Sequence, residues 1–211
     1  MWYPRTDPRR RRPLTRSVAL ALAAIAGNSA AATDWRFDLP HSQILFSVDH
    51  QGYSSALGRL HIKDGIFTFS GRDWASARVD VVIDMTSVDL GDASLDAAAR
   101  SSALLDTARW PTARYTSTRV EARDANHAIV HGQLHWRGHQ QPVDLAVTLN
   151  RIAPDPYSLR RKSGFSATAT LARENFGMTR HANAIGNLVT LRIEVEGVRS
   201  RHTEIPDDPQ E

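Results

Sequence analysis

Four histidines, His127, His131, His135 and His139, recur every four residues, a spacing that on a helix would stack imidazoles on one face and suggest a metal site. Their neighbours argue for a strand instead, because Val130, Leu134 and Trp136 take even positions while His131 and His135 take odd ones. Four strand residues span roughly 13 Å at about 3.3 Å each, too far for two of these imidazoles to share one ion. They are expected on the solvent side, with no metal. His50 differs, since it shares the parity of Phe46 and Val48. It is expected near the end of an apolar face, either as a structural hydrogen-bonding group or as a contact to a ligand head group. A general-base role there would need a second polar group within hydrogen-bond reach and a shifted pKa. Ser54 sits in GYSSA, a loose echo of a nucleophile elbow, but Ala56 stands where the second glycine should be and a strand follows in place of a helix. Ser54 is therefore read as a turn residue. The chain carries no Gly-rich phosphate loop, paired-carboxylate motif or H-E-x-x-H helix, so no catalytic centre is expected.

The elements that would position these residues are strands. From His41 to Leu60, Ile44, Phe46 and Val48 alternate with Gln43, Ser47 and Asp49, which makes one face apolar and the other polar. Gly52, the small residues Ser54 to Ala56, and Gly58 follow, so the backbone can bend sharply or be approached closely. Gly65, Phe67 and Phe69 form a second apolar face, and Val79, Val81, Ile83 and Met85 a third. Further strands are read at Ala113 to Glu121, Ala128 to Trp136, Val143 to Leu149, Gly164 to Leu171 and Val189 to Val195. His139 to Pro142 is read as a tight hairpin connection, with Pro142 opening the next strand. Between the third and fourth of these faces, Ala93 to Pro111 is rich in Ala and Leu with no internal Gly or Pro. Asp92 is a plausible N-cap and Pro111 a stop, so one or two short helices are expected, broken near Ser101 and Ser102. Leu95, Leu104, Leu105 and Trp110 would face the sheet. Eight or so strands with one helical excursion give an all-β antiparallel barrel with a short helical insertion.

Of 26 Lys and Arg, six lie before residue 33, against one of the 23 acidic residues. From residue 33 onward 20 basic and 22 acidic side chains leave a formal charge of −2, which argues against a nucleic-acid partner. The N-terminus has the three parts of a secretory signal: an Arg-rich start, the apolar run Ser17 to Gly27, and the small residues Ser29 to Ala32. Cleavage is expected after Ala32. The run is roughly half the 20 residues that a membrane helix needs, so no stable membrane insertion is expected once it is removed. The residues after Arg9 to Arg12 do not decide between general and twin-arginine export. The chain has no cysteine, which excludes disulfides, thiolate metal sites and a lipidated cysteine. Residues 1–32 are thus read as the signal, 33–198 as one barrel domain, and 199–211 as a polar tail. No internal repeat or Pro/Ser/Gly-rich linker divides the barrel.

Aromatic residues fall on or beside the inward faces: Phe46, Phe67, Phe69, Trp110, Tyr115, Trp136, Phe165 and Phe176. An eight-stranded barrel is near the size at which the interior is either filled by side chains or holds one small ligand. Periodicity alone does not separate the two.

Four ordered motifs narrow the choice: HSQILFSVDHQGYSSALGRL, RSSALLDTARWPTARYTSTRV, GQLHWRGHQQPVDLAV and FSATATLARENFGM. In this order and spacing they strongly resemble the YceI-like family over roughly Asp34 to Val198. The resemblance implies a lipocalin-like barrel of eight strands with a long apolar tunnel, in secreted or periplasmic proteins that are often dimeric. Several members hold polyisoprenoids or other long amphiphiles, and association of some with membrane cytochromes of the b type hints at quinones. It places Phe46, Val48 and His50 on the inner face of the first strand and matches Arg100, Leu104, Leu105, Asp106 and Pro111 to the helical segment. Arg173, Phe176, Gly177 and Met178 match a late R-x-x-F-G-M turn. Tyr115 stands where the family commonly has phenylalanine, and Leu105 and Trp110 replace a phenylalanine and tyrosine pair. The expected lining therefore comprises Phe46, Val48 and His50; Phe67 and Phe69; Val81 and Ile83; Leu104, Leu105 and Trp110; Tyr115, Leu134 and Trp136; and Phe165, Arg173, Phe176 and Met178. The implied protein is a non-enzymatic periplasmic carrier of an amphiphilic lipid such as a quinone or polyprenyl lipid. It needs no cofactor beyond that bound lipid, and a homodimer and a b-type cytochrome are the protein partners. A structural or stress-response barrel without a dedicated ligand is the rival, and an enzyme acting on an amphiphilic substrate the lesser one.

Overall fold

The structure is a computed structural model that describes residues 33–200 apart from residue 72. The signal read at 1–32 and the tail from residue 201 lie outside the described residues. Nine antiparallel strands run β1 (Asp34–Phe37), β2 (Gln43–His50), β3 (Ser54–Thr68), β4 (Arg78–Asp89), β5 (Thr112–Ala122), β6 (His127–Trp136), β7 (His139–Pro154), β8 (Arg161–Ala172) and β9 (Ile185–Arg199), with helix α1 (Ala93–Arg100) between β4 and β5. Their order is β1-β3-β2-β9-β8-β7-β6-β5-β4, and pairing of β3 with β4 closes the sheet on itself. Eight long strands, β2 to β9, make the closed barrel. The short β1 pairs with both β3 and β9 beyond the end of β2, so β1 and β2 form one interrupted strand. The interruption is a 3₁₀ turn at Leu39–His41 with Pro40 inside it, where a missing N–H breaks the ladder.

Period-two alternation positions the interior. In β6, Ala128, Val130, Gly132, Leu134 and Trp136 are buried while the residues between them are not. In β3 the inward parity changes from Leu60 and Ile62 to Phe67, and the register shifts between Ile62 and Asp64. This bulge bends the strand. Gly65 follows it at φ 153°, where an added Cβ would lie 2.6 Å from the Asp80 carbonyl oxygen.

The Asp92 carboxylate caps α1 by accepting from the backbone N–H of Ser94 and Leu95. Only one helix forms. It ends at Ser101, and residues 101–110 continue as turns tied back to it, with Leu105 N–H donating to the Ala99 carbonyl and Thr107 N–H to that of Arg100. Two boundaries differ from the expectation. The β6–β7 hairpin turns at Arg137 and Gly138, both with positive φ, so His139 already pairs with Trp136 and Pro142 lies within β7 opposite Gln133. Arg199 belongs to β9 rather than to the tail, held by pairing with Trp35.

Candidate ligand cavity

The barrel encloses a cavity of about 750 Å³, within the range of small-molecule sites. One end is shut by aromatic rings. Trp35, Phe67, Phe69, Trp74 and Phe165 form a buried cluster in which Phe69 and Trp74 lie 4.6 Å apart and Phe165 meets both Phe67 and Phe69 edge-on at 5.6 Å. Its polar edges are satisfied, since Trp35 Nε1 donates to the Phe69 carbonyl and Trp74 Nε1 to that of Ala125. At the other end the cavity reaches the exposed residues His50, Ser54, Leu95, Ala98, Ser101 and His181. That end is the mouth, roofed by α1, the turns after it and the β8–β9 connection.

Fifteen of the seventeen expected lining residues are on the cavity wall. Phe46, Val48 and His50 lie along β2, Val81 and Ile83 along β4, and Tyr115, Leu134 and Trp136 along β5 and β6. Phe67, Phe69 and Phe165 stand at the closed end; Leu104, Leu105, Arg173 and Met178 stand towards the mouth. Trp110 and Phe176 are not on the wall, which corrects the expectation for both. Trp110 folds over the β6–β7 turn, where a Cβ on Gly138 would come 3.2 Å from its ring, and the Arg109 guanidinium lies over the ring 5.1 Å from its centroid. Phe176, 1% exposed, packs behind Trp136 with ring centroids 5.6 Å apart. Trp35 and Trp74, which plug the closed end, were not anticipated: a four-residue strand and a 3₁₀ turn carry no periodic signal.

Three aromatic side chains reach inward because a glycine faces each. A Cβ added to Gly58, Gly132 or Gly197 would fall 2.3 Å from the ring of Phe46, Tyr115 or Phe67 respectively. Tyr115 is held further by its hydroxyl, which bonds to the carbonyls of Val130 and Val143 at 3.0 and 3.1 Å. Burial, reinforced by the Asp144 charge, pushes its phenol above the usual range, so it stays neutral.

Arg173 is not a free head-group contact. It is 4% exposed, and its guanidinium donates to the carbonyls of Gly186, Met178, Arg180 and Ile185. The side chain clamps the β8–β9 connection over the mouth. Arg137 makes a second tie, donating to the carbonyls of Phe176 and Leu104. Trp136, 6% exposed, is different: its Nε1–H has no partner among the described residues, and leaving a buried donor unmade costs about 1–3 kcal/mol.

His50 stands exposed at the rim, and no described residue hydrogen-bonds its imidazole. The outward His131 points Nδ1 at Asp144, 2.8 Å away, and Nε2 at Glu121, while His127 meets Asp124. Asp38, His41 and Glu196 bring ligand atoms within 4.8 Å of one another, but the Lys162 ammonium lies 3.0 Å from Asp38 and 3.1 Å from Glu196 and supplies the cation there.

The sequence profile of the YceI-like domain matches residues 35–197. This chain belongs to the YceI-like family. It is 33% identical over 186 residues to protein YceI of Escherichia coli O157:H7, covering 87% of this chain and 96% of that protein. A UPF0312 protein of Pseudomonas aeruginosa is 34% identical over 185 residues, with the same coverage. Among solved structures the YceI-like barrel is similar to Burkholderia cenocepacia BcnA, with a TM-score of 0.62 at 19% identity, covering 76% of this chain and 98% of that one. A polyisoprenoid binding domain from Saccharophagus degradans, implicated in plant cell wall breakdown, aligns with a TM-score of 0.60 at 15% identity, covering 79% and 98%. At these identities the structural likeness concerns the fold.

Proposed function

We propose that this YceI-like barrel is a periplasmic carrier that holds the apolar chain of a long amphiphile, a prenyl quinone or polyprenyl lipid, in its cavity. The observation that carries the reading is a cavity of about 750 Å³ walled by hydrocarbon, plugged at one end and reaching solvent at the other. Each buried methylene contributes about 0.8 kcal/mol, so a few isoprene units supply the affinity without any specific bond. A fully packed barrel would leave no such space. An enzyme using His50 as base would need a second group in reach, and no described side chain bonds to it. The polyisoprenoid binding named for the Saccharophagus domain is consistent with this reading. The signal read in the sequence of residues 1–32 supports the location, and family resemblance supports a homodimer and a b-type cytochrome as partners.

The direct test is native purification followed by mass spectrometry of the organic extract. A long-chain amphiphile in near-stoichiometric amount is expected. A barrel that is empty and also fails to take up polyprenyl lipids or prenyl quinones would overturn the proposal. Intact-mass analysis of the periplasmic fraction should find the mature chain starting at Thr33; a chain retaining residues 1–32 in the cytoplasm would refute the location.

A further inference from the structure

The closed end of the cavity is built as a fixed stop. The ring of Trp74, 5% exposed, lies 4.6 Å from that of Phe69 and 6.2 Å from that of Phe165, and all three residues are on the cavity wall. Its Nε1 donates to the Ala125 carbonyl in the β5–β6 connection, which anchors the indole. The 3₁₀ turn that carries it, Trp74–Ser76, is fixed as well. The Asp73 carboxylate accepts from the Ala75 N–H, and the Arg78 guanidinium donates to the carbonyls of Ala75 and Ala77. Trp35 in turn donates to the Phe69 carbonyl. With both indole nitrogens engaged, the stop presents ring carbon to a ligand, so it meets the apolar end of an amphiphile rather than its head.

The strands set the distance from this stop to the mouth. β6 runs without a register break from Ala128, buried in the aromatic cluster, to Trp136, beside the turn that Arg137 ties to the roof. Its rise of about 3.3 Å per residue, on a strand tilted by about 40°, gives a depth of roughly 20 Å. A chain of about 16 backbone carbons in extended staggered form covers that length, which is four isoprene units. Volume gives a similar limit. A methylene fills about as much space as a water molecule, about 30 Å³, so 750 Å³ accommodates roughly 25 carbons, or five isoprene units.

We infer that Trp74 sets the longest chain this barrel encloses, at about five isoprene units. The chain end rests against the rings of Trp74 and Phe69, and the head lies at the mouth, where the wall reaches His50, Ser54, Ser101 and His181. This rests on the carrier reading and adds to it a chain-length class. Prenyl lipids up to that length are sheltered whole, whereas each further unit of a longer one stands in water and forfeits the burial that drives binding.

The test loads delipidated protein from phosphatidylcholine vesicles that hold equal amounts of prenyl alcohols, from farnesol to octaprenol. Mass spectrometry of the re-isolated protein counts each bound alcohol. Chains that fit exchange bilayer for barrel at little cost, so uptake is expected to hold up to the limit and to fall about ten-fold for each unit beyond it. Trp74→Ala should move that fall to chains about one unit longer. Ala77→Leu fills space on the wall beside Trp74 and should move it about one unit shorter. A fall at the same length in all three proteins, or uptake that does not fall with length, would overturn the inference. Should Trp74→Ala not fold, Ala77→Leu still decides, because an unmoved limit in that variant refutes a stop at this end. If wild type takes up no prenyl alcohol of any length, the carrier reading itself fails and this inference with it.

Discussion

Phe46 lies across the bare backbone of Gly58, its register partner on β3, so closely that a Cβ on Gly58 would sit 2.3 Å from the ring tip. Tyr115 on β5 makes the same 2.3 Å approach to Gly132 on β6, diagonally, since the register partner of Gly132 is Ser117. What differs is freedom to yield: Phe46 borders open cavity, whereas the Tyr115 hydroxyl is tied to two carbonyls.

Gly58→Ala and Gly132→Ala should therefore separate. In Gly58→Ala the Phe46 ring swings into the cavity, so stability changes by less than about 1 kcal/mol while chain uptake weakens. In Gly132→Ala the ring cannot move without losing its hydrogen bonds, and the cost should reach about 3 kcal/mol. Urea unfolding of both variants measures the difference. Equal costs would show that the Tyr115 hydroxyl does not anchor the ring.

These pairs also mark what the sequence could reveal. The strand faces were legible because β6 places its buried residues at strict two-residue intervals from Ala128 to Trp136, and the helix was legible because Asp92 caps it. Which glycine receives which ring was not, since Phe67 on β3 and Gly197 on β9 are brought together only where β1 pairs with both strands. β1 itself escaped notice for the same reason: four residues gain their partners from strands at both ends of the chain. Arg173 was legible through the resemblance as part of the late turn, but not as its clamp, because its partners are backbone carbonyls and a carbonyl partner leaves no signature in residue type.

Arg173→Met removes a donor set that satisfies four carbonyls of the β8–β9 connection. Some of those carbonyls stay buried, so a loss of about 3 kcal/mol or more is expected. It should be local first: amides of residues 178–186 should exchange faster while β6 and β7 amides keep their protection. Uniform acceleration across the barrel would contradict a clamp confined to this loop.

Ala167, buried on β8 and facing the cavity, tests whether the space itself does the binding. Ala167→Phe puts a ring into the void without cutting a hydrogen bond. Uptake of a prenyl chain should fall at least ten-fold while the thermal midpoint stays within a few degrees. Unchanged uptake would place the ligand elsewhere.

Lys162 gathers Asp38, Asp155 and Glu196 at 3.0, 3.7 and 3.1 Å, tying β8 to the break between β1 and β2, to the end of β7 and to β9. Hydrogen bonds to Asp38 and Glu196 raise the Lys162 ammonium above its usual range, so its contribution is complete below its ordinary value and is lost only as pH rises through the higher folded one. For Asp38, burial opposes ionisation, but hydrogen bonds from His41 and Lys162 outweigh it and hold the carboxyl below its ordinary 3.8. Its contribution is present above that value and disappears as pH falls through the lower folded one. Lys162→Met should cost about 1 kcal/mol at neutral pH, allowing for solvent screening of these partly exposed pairs. The gap from wild type should narrow as pH falls below the ordinary 3.8 of Asp38 and close once pH has passed its lower folded value. Unfolding curves for the two proteins across about pH 2 to 8 decide it, and a gap undiminished by acid would mean that Lys162 acts through packing of its stem rather than its charge.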